Sequence, residues 1–240
     1  MVMVPYFMIK SFLILISFSI FAFSSQQIIL VVAQDFNSSK AKLQCFEDGK
    51  KVFNTIDVNL GKNGLSWGLG QVPIAQKYEK SIKQEGDKKA PIGIFKLSSV
   101  FGYEKNQNLN MPYIYTSKDL ICVDDSNNRD YNKIIHMPSN KPSSFEFMKR
   151  DDDQYKLGIV VEHNKQAIKQ RGSCIFMHLQ KEKDAPTAGC TSMSYNDLKK
   201  IVFWLDKSKN PILVQIPKSL ANKIIKLYPE LKSSRLLKED

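Results

Sequence analysis

The chain alternates short apolar runs with polar, turn-forming segments, a pattern typical of a protein built mainly from β-strands. Two runs of similar build, at 157–164 and 172–179, each lead from apolar residues towards a histidine. Continuous apolar runs of this length favour strands that are covered on both faces. Because side chains alternate along a strand, the second run should place Cys174, Phe176 and His178 on one face and the residues between them on the other.

The remaining pattern adds a hairpin and two helices. Segment 42–60 contains two short alternating stretches separated by turn residues, which predicts a hairpin. Segment 195–206 predicts a helix, because Ser194 is a suitable N-cap and apolar residues recur at helical spacing behind it. We therefore expect a mainly β fold, a barrel or sandwich of mixed short strands, with one helix after Cys190 and a short C-terminal helix.

The N-terminal segment has a different character from the rest. Residues 1–33 combine a weakly positive start, a long apolar centre and then small residues, which is typical of a secretory signal peptide. Cleavage after Ala33 or after Ser24 fits this pattern, and an uncleaved membrane anchor is the alternative. The expected organisation is then a hairpin or extension at 34–57, a main domain at 58–217, and a C-terminal helix and tail at 218–240.

The formal net charge is +11. Such a charge favours a polyanionic neighbourhood, such as nucleic acid, anionic lipid or an acidic cell-wall polymer, although lysines spread along a chain also describe an ordinary solvated surface. Export argues against nucleic acid as a partner. Peripheral association with the envelope therefore stays possible, and we expect the protein in the periplasm or cell envelope.

The chain has four cysteines, which is too few for a protein whose fold is held together mainly by disulfides. Cys45 and Cys122 could pair with each other, whereas Cys174 is expected to be a packed thiol or otherwise a disulfide partner. The spacings of cysteines and histidines match no zinc pattern, so we expect neither a metal nor a cofactor. His163, at the end of its strand, is expected at the surface, with a supporting role at the site as the alternative.

Cys190 and His178 are the candidate catalytic pair. A thiol becomes a strong nucleophile when an imidazole stabilises its thiolate, and His178 at the end of a buried strand could reach a cysteine on the next turn. Gly189 lets the backbone approach closely, and backbone N–H groups around Gly189 and Cys190 could form an oxyanion hole. The alternative from spacing alone is a buried structural cysteine near a histidine.

The stretch from 172 to 198 resembles the active-site segment of the L,D-transpeptidase catalytic domain, whose pattern is a strand ending in His, a loop, and then Ser/Thr-x-Gly-Cys. His178, Thr187, Gly189 and Cys190 match this pattern. Upstream, "EGDKKAPIGIF" at 85–95 is similar to the Glu-Gly-Asp and Pro-x-Gly-x-Phe motifs of that family. The likeness covers roughly residues 58 to 217.

This resemblance implies that Cys190 attacks the carbonyl before the terminal D-alanine of a peptidoglycan tetrapeptide stem, with His178 as base and then acid. It also implies a backbone carbonyl, in the Leu179 or the Gly189 region, that orients the imidazole. An amine, another acceptor or water would resolve the acyl-enzyme, and carbapenems should acylate Cys190. An L,D-carboxypeptidase or amidase would use the same two residues.

Substrate anchoring departs from the family pattern. Many members have Arg two residues after the nucleophile, where this chain has Ser192. We expect substrate contacts from Thr187 and Ser192, with Arg171 as a possible substitute for the missing arginine. A non-catalytic cell-wall-binding protein, in which Cys190 forms a disulfide, is the alternative outside enzymes.

Overall fold

The computed structural model describes residues 25–71 and 82–238. Within these ranges it has fourteen strands and two α-helices, with short 3-10 turns after the first helix and on both sides of the second. The strands are β1 (Gln27–Ala33), β2 (Lys40–Glu47), β3 (Lys50–Lys51), β4 (Ile56–Asn59), β5 (Leu65–Trp67), β6 (Ala90–Gly102), β7 (Tyr113–Tyr115), β8 (Leu120–Val123), β9 (Ile134–His136), β10 (Phe145–Phe147), β11 (Leu157–Val161), β12 (Phe176–Leu179), β13 (Thr191–Met193) and β14 (Ile212–Pro217). The helices are α1 (Tyr195–Trp204) and α2 (Ala221–Leu227).

A closed barrel forms the body of the molecule. Its strands follow one another in the order β1, β14, β6, β11, β12, β13, β4 and β2, and β2 then pairs again with β1. The ring mixes parallel pairs, such as β12 with β13, and antiparallel pairs, such as β11 with β12. The expected mainly β fold with few helices is confirmed, and of the two predicted architectures it is the barrel.

Strand β1 corrects the domain boundary expected at residue 33. Residues 27–33 are buried, and the strand is hydrogen-bonded to β14 on one side and β2 on the other. Each fully buried aliphatic side chain contributes about 1.5–3 kcal/mol, so removing the five between Ile28 and Val32 would cost about 8 kcal/mol or more, comparable with the whole stability of a domain. Residues 1–33 therefore cannot all be a removable leader.

The other boundaries also shift. Gln27 is fully buried, and its side-chain amide bonds to Glu47, to the Trp204 carbonyl and to the Asp206 N–H, so the barrel already includes residue 27. The predicted hairpin at 34–57 is present, but β2 and β4 are barrel strands rather than an extension. The cut after Ser24 leaves this structure intact and stays a prediction, since residues 1–24 lie outside the described residues.

Helix α1 follows Cys190 as the sequence predicts, and its apolar face joins the barrel core. The Ser194 side chain accepts the N–H of Asp197, and Leu198, Ile201 and Val202 are buried. The C-terminal segment contributes further core residues, among them Leu231 and Leu237. None of the helices within 25–71 and 82–238 has the length and apolar character required to cross a membrane.

A small antiparallel sheet of β8, β9 and β10, here called the cap sheet, lies on the outer face of the barrel. Its Leu120 and Cys122 belong to a second apolar cluster that also contains Phe101, Phe176 and Cys190. A disulfide between Cys122 and Cys174 links the cap sheet to the loop that precedes β12. The cap sheet is therefore fastened directly over the strand that carries His178.

This disulfide overturns two expectations. Cys174 is not a packed thiol, and Cys122 does not pair with Cys45, which is a buried free thiol. The barrel separates the candidates for physical reasons: Cys45 lies in the barrel core, whereas Cys122 and Cys174 belong to the cluster outside it.

Candidate active site

Cys190 and His178 lie on neighbouring strands and on the same face. Strands β12 and β13 run parallel, with His178 beside Ser192 and Met177 beside Thr191. Cys190 therefore falls beside Phe176, whose N–H donates to the Cys190 Sγ at 3.3 Å. His178 lies two residues beyond Phe176 along β12, and Cys190 lies one strand spacing to the side of Phe176. The Cα atoms of Cys190 and His178 are therefore about 8 Å apart. That distance allows the two side chains to meet.

The predicted division of faces is also observed. Cys174, Phe176 and Cys190 lie in the outer cluster under the cap sheet. The alternate residues of β12 and its approach face the barrel core, namely Ile175, Met177 and Leu179. The candidate pair, Cys190 and His178, is therefore on the outer surface of the barrel wall, between that wall and the cap sheet.

The turn before Cys190 is organised by Thr187. Its hydroxyl donates to the Cys190 carbonyl at 2.7 Å and accepts the Gly189 N–H at 3.1 Å. Gly189 has a φ of +150°, and a Cβ there would lie 3.0 Å from the Lys89 carbonyl oxygen, so this position requires glycine. Thr187 thus positions the nucleophile, and a direct contact with substrate stays a prediction for it. The Gly189 N–H, expected as an oxyanion donor, is already engaged.

A backbone carbonyl orients the imidazole of His178. Nδ1 donates to the carbonyl oxygen of Leu179 at 2.8 Å, which leaves Nε2 as the basic nitrogen. Of the two regions considered from the sequence, it is therefore Leu179 that holds the ring. The Tyr155 ring packs edge-on against the imidazole, with centroids 5.2 Å apart. Burial is the main reason that the pKa of His178 is lowered to about 4.

The thiol of Cys190 is a free, nearly buried group, 9 % exposed. This contradicts the alternative in which Cys190 forms a disulfide. Burial first, and then the nearby Glu146 carboxyl, raise the pKa of Cys190 to about 12. Both groups are therefore neutral at rest rather than the ion pair expected from the sequence, and the role of His178 as a base stays a prediction. The thiol itself donates to the Cys174 carbonyl at 3.5 Å.

Residues of the segment beneath the cap sheet complete the surroundings. The buried Tyr155 donates its hydroxyl to Glu146 at 2.5 Å, and burial raises the pKa of this carboxyl. Arg150 lies over the other side of Tyr155, at 5.1 Å from the ring centroid, and binds Asp152 through two N–H groups. Sequence reasoning missed these residues, because nothing in their spacing connects them with Cys190.

The residues predicted to contact substrate have different surroundings in the structure. Ser192 is 1 % exposed, and its hydroxyl has no hydrogen-bond partner among the described residues. A buried hydroxyl without a partner next to His178 is a natural contact for a substrate. Arg171 binds His163 through its backbone carbonyl, at 2.8 Å from Nε2, and its own role at the substrate stays a prediction. His163 is 2 % exposed, so its expected place at the surface is wrong.

The Glu-Gly-Asp motif supplies two partly buried carboxylates, and one of them pairs with a buried lysine. Glu85 accepts the hydroxyls of Tyr131 and Ser173, and Asp87 binds the ammonium group of Lys83 at 2.5 Å. Lys83 is only 3 % exposed. The Glu-Gly-Asp motif drew attention to this region of the sequence, but no sequence pattern indicated that Lys83, two residues before it, is buried.

A groove of about 870 Å³ lies further along the same side of the barrel wall, and its lining includes Gln180, two residues after His178. Ser192 pairs in register with Asn59 of β4, and residues directly opposite each other in an antiparallel pair point to the same face. Asn59 and Ser194 line the groove, together with the segment from residue 52 to 57 and the start of α1. Strand spacing places Asn59 about 10 Å from His178 across the sheet.

No group of three or more His, Cys, Asp or Glu side chains in the described ranges, 25–71 and 82–238, is arranged to hold a metal ion. The arrangement that remains is a thiol, an oriented imidazole and a buried ammonium group. Such a set can perform nucleophilic acyl transfer.

Comparison with protein families matches residues 29–216 to YkuD, the L,D-transpeptidase catalytic domain. The match begins within β1 and ends within β14, so it covers the complete ring of barrel strands. Comparisons with curated proteins and with solved structures found no match. The chain belongs to the L,D-transpeptidase catalytic domain family.

Proposed function

We propose that this protein is an exported cysteine acyltransferase that acts on the tetrapeptide stems of peptidoglycan. The observation that carries the proposal is the pairing of Cys190 with His178 on adjacent strands, with the imidazole held by the Leu179 carbonyl so that Nε2 is free. The stem peptide as substrate rests on the family to which the chain belongs.

The reaction proceeds in two halves. Nε2 of His178 takes the thiol proton as Sγ of Cys190 attacks the scissile carbonyl carbon, and the same proton then passes to the departing D-alanine amine. The product is a thioester at Cys190. In the second half an amine attacks the thioester, the C–S bond breaks, and the amine's proton returns to the thiolate through His178.

The groove beside Asn59 supports transfer to an amine over hydrolysis. It is lined by the neutral polar side chains of Asn54, Thr55, Asn59 and Gln180, by the carboxylates of Asp57, Asp184 and Asp197, and by the ammonium groups of Lys183 and Lys200. Each of these carboxylates pairs with a lysine, Asp57 with Lys42, Asp184 with Lys40 and Asp197 with Lys200, so the groove offers an acceptor peptide room and neutral polar contacts. An L,D-carboxypeptidase, which passes the acyl group to water, has no need of such a groove and is the alternative.

Export is part of the same proposal. The Cys122–Cys174 disulfide is the kind of bond that persists in an oxidising compartment such as the periplasm. The apolar segment before residue 25 is our candidate signal, with cleavage after Ser24. An acyltransferase of this type would meet its substrate only outside the cytoplasm.

Intact-mass spectrometry after exposure to a carbapenem tests the nucleophile. We expect a single covalent adduct on the parent protein and none on Cys190→Ala, because the β-lactam carbonyl is attacked by the same thiol. Incubation with tetrapeptide muropeptides tests the reaction: cross-linked dimers support transfer, whereas tripeptides alone indicate the carboxypeptidase. A parent protein that forms no adduct and leaves muropeptides unchanged would contradict the proposed function.

A further inference from the structure

Lys83 is a buried charge that the two-residue mechanism leaves unexplained. Its side chain is 3 % exposed, and its position is fixed at both ends. The backbone N–H donates to the Trp67 carbonyl at 2.8 Å, and the ammonium group donates to the Gln84 carbonyl at 3.0 Å and to Asp87 at 2.5 Å. Burying an ammonium group costs several kcal/mol unless it is well paired, so its place here calls for a reason.

Asp87 is built to hold this charge. Besides Lys83, its carboxylate accepts the N–H groups of Gln84 and Lys89 at 2.9 Å each and the Ser66 hydroxyl at 3.2 Å. Four donors around one carboxylate hold Asp87 in place beside the ammonium group. The stem of Lys83 packs where Gly172 has no side chain, since a Cβ there would lie 2.9 Å from Lys83 Cγ.

The ammonium group borders the nucleophile's turn. A Cβ built on Gly189 would lie 3.6 Å from Lys83 Nζ, so the space that this glycine leaves open adjoins the charge. An ammonium group has three N–H donors, and only two have partners in the part of the chain that the structure describes. The positive charge also acts in the direction that lowers the pKa of Cys190, against the larger effect of burial.

One of the two backbone donors expected for an oxyanion, the Gly189 N–H, is engaged elsewhere. The Gly189 N–H donates to the Thr187 hydroxyl, which in turn donates to the Cys190 carbonyl. Breaking this pair would loosen the turn that presents the thiol. The Cys190 N–H has no hydrogen bond within the described residues and stays available, so the positive charge beside the turn is the candidate for the second donor, in place of the Gly189 N–H.

We propose that Lys83 is a catalytic residue whose free N–H binds the oxyanion formed when Cys190 attacks a carbonyl. This inference rests on the proposed acyl transfer and deepens it. As Sγ bonds to the carbonyl carbon, the C=O π pair moves to the oxygen, the thiol proton goes to His178, and Lys83 donates a hydrogen bond without giving up its proton. When the tetrahedral intermediate collapses, the C=O bond re-forms and the leaving amine takes the proton from His178.

The test compares acylation rates of the full chain by a carbapenem, followed by intact mass, and D-alanine release from tetrapeptide muropeptides. Loss of one oxyanion donor lowers rates about 100- to 1,000-fold, so we expect this loss in Lys83→Met. Lys83→Arg should recover at least tenfold of it, because the charge is retained. Lys62→Met is the matched control, since it removes an exposed lysine of the neighbouring turn and should acylate like the parent.

A structural role for Lys83 is separated by two further measurements. Lys83→Met/Asp87→Asn removes the buried charge and its partner together, so it should fold while acylating as slowly as Lys83→Met. Muropeptide affinity, measured in a Cys190→Ala background, should change less than threefold when Lys83 is replaced. A Lys83→Met or double variant that acylates at the parent rate, or one whose loss appears only in affinity, would overturn the inference. A parent protein that is not acylated at all would overturn the proposed function and this inference with it.

Discussion

Replacing Cys122 and Cys174 by alanine removes the covalent link between the cap sheet and the loop before β12. The two cysteines are 52 residues apart, and the disulfide closes a loop of that length in the unfolded chain. The corresponding loss of entropy is about 14 cal/mol/K, or about 4 kcal/mol at 25 °C. We expect the double variant to lose about 4 kcal/mol in free energy of unfolding, with a Tm lower by about 8–16 °C.

Urea unfolding followed by tryptophan fluorescence measures this difference. Cys45→Ala is the control, because it also replaces a fully buried cysteine but breaks no disulfide. It should cost only about 1 kcal/mol for the small cavity it leaves. The parent protein in a strong reductant should approach the stability of the double variant, since both lack the same bond.

Two results would refute this reasoning. Thiol titration of the denatured, unreduced parent should find two thiols, those of Cys45 and Cys190. Four thiols would mean that the bond is absent. A double variant that loses no more stability than Cys45→Ala would mean that the cap sheet stays in place without the disulfide.

Gly189→Ala should lower the free energy of unfolding by about 1–3 kcal/mol and slow acylation, because the φ of +150° and the nearby Lys89 carbonyl both disfavour a side chain. Urea unfolding measures the first effect, and the rate of carbapenem adduct formation measures the second. Ser192→Ala should leave stability unchanged or raise it by about 1 kcal/mol, since its hydroxyl lacks a partner, while KM for muropeptides rises. The rate of acylation should rise as the pH increases through about 4, where His178 becomes neutral, and should then stay level up to pH 9, because the pKa of Cys190 is about 12. A rise in rate near pH 8 would instead indicate an exposed thiol.

Local pattern was sufficient to bring the candidate residues Cys190 and His178 to neighbouring positions of the sheet. Alternation along β12 separates His178 and Phe176 from Met177, and spacing alone suggested that the end of this strand faces the turn at Cys190. The helix after the site followed from Ser194 as N-cap. These features depend on residues close together in sequence, where periodicity and capping rules apply directly.

Features that depend on distant pairing could not be predicted. The apolar run at 27–33 is buried on both faces of the barrel wall, and such a strand has the same composition as the core of a signal peptide. The partner of Cys122 depends on where the cap sheet lies, which no local pattern reports. Lys83 looks like any surface lysine until the structure places it behind Gly189.

The order of strands in the barrel has a consequence for how the chain acquires its fold. Ile28, in the first strand, pairs with Ile212 in the last, so the ring cannot close until almost the whole chain is available. Contacts between such distant segments form slowly, and a partly synthesised chain has no stable partial barrel to collapse into. Late closure of the ring would fit the export proposed above, because a chain that is still unfolded can pass through a narrow translocation channel.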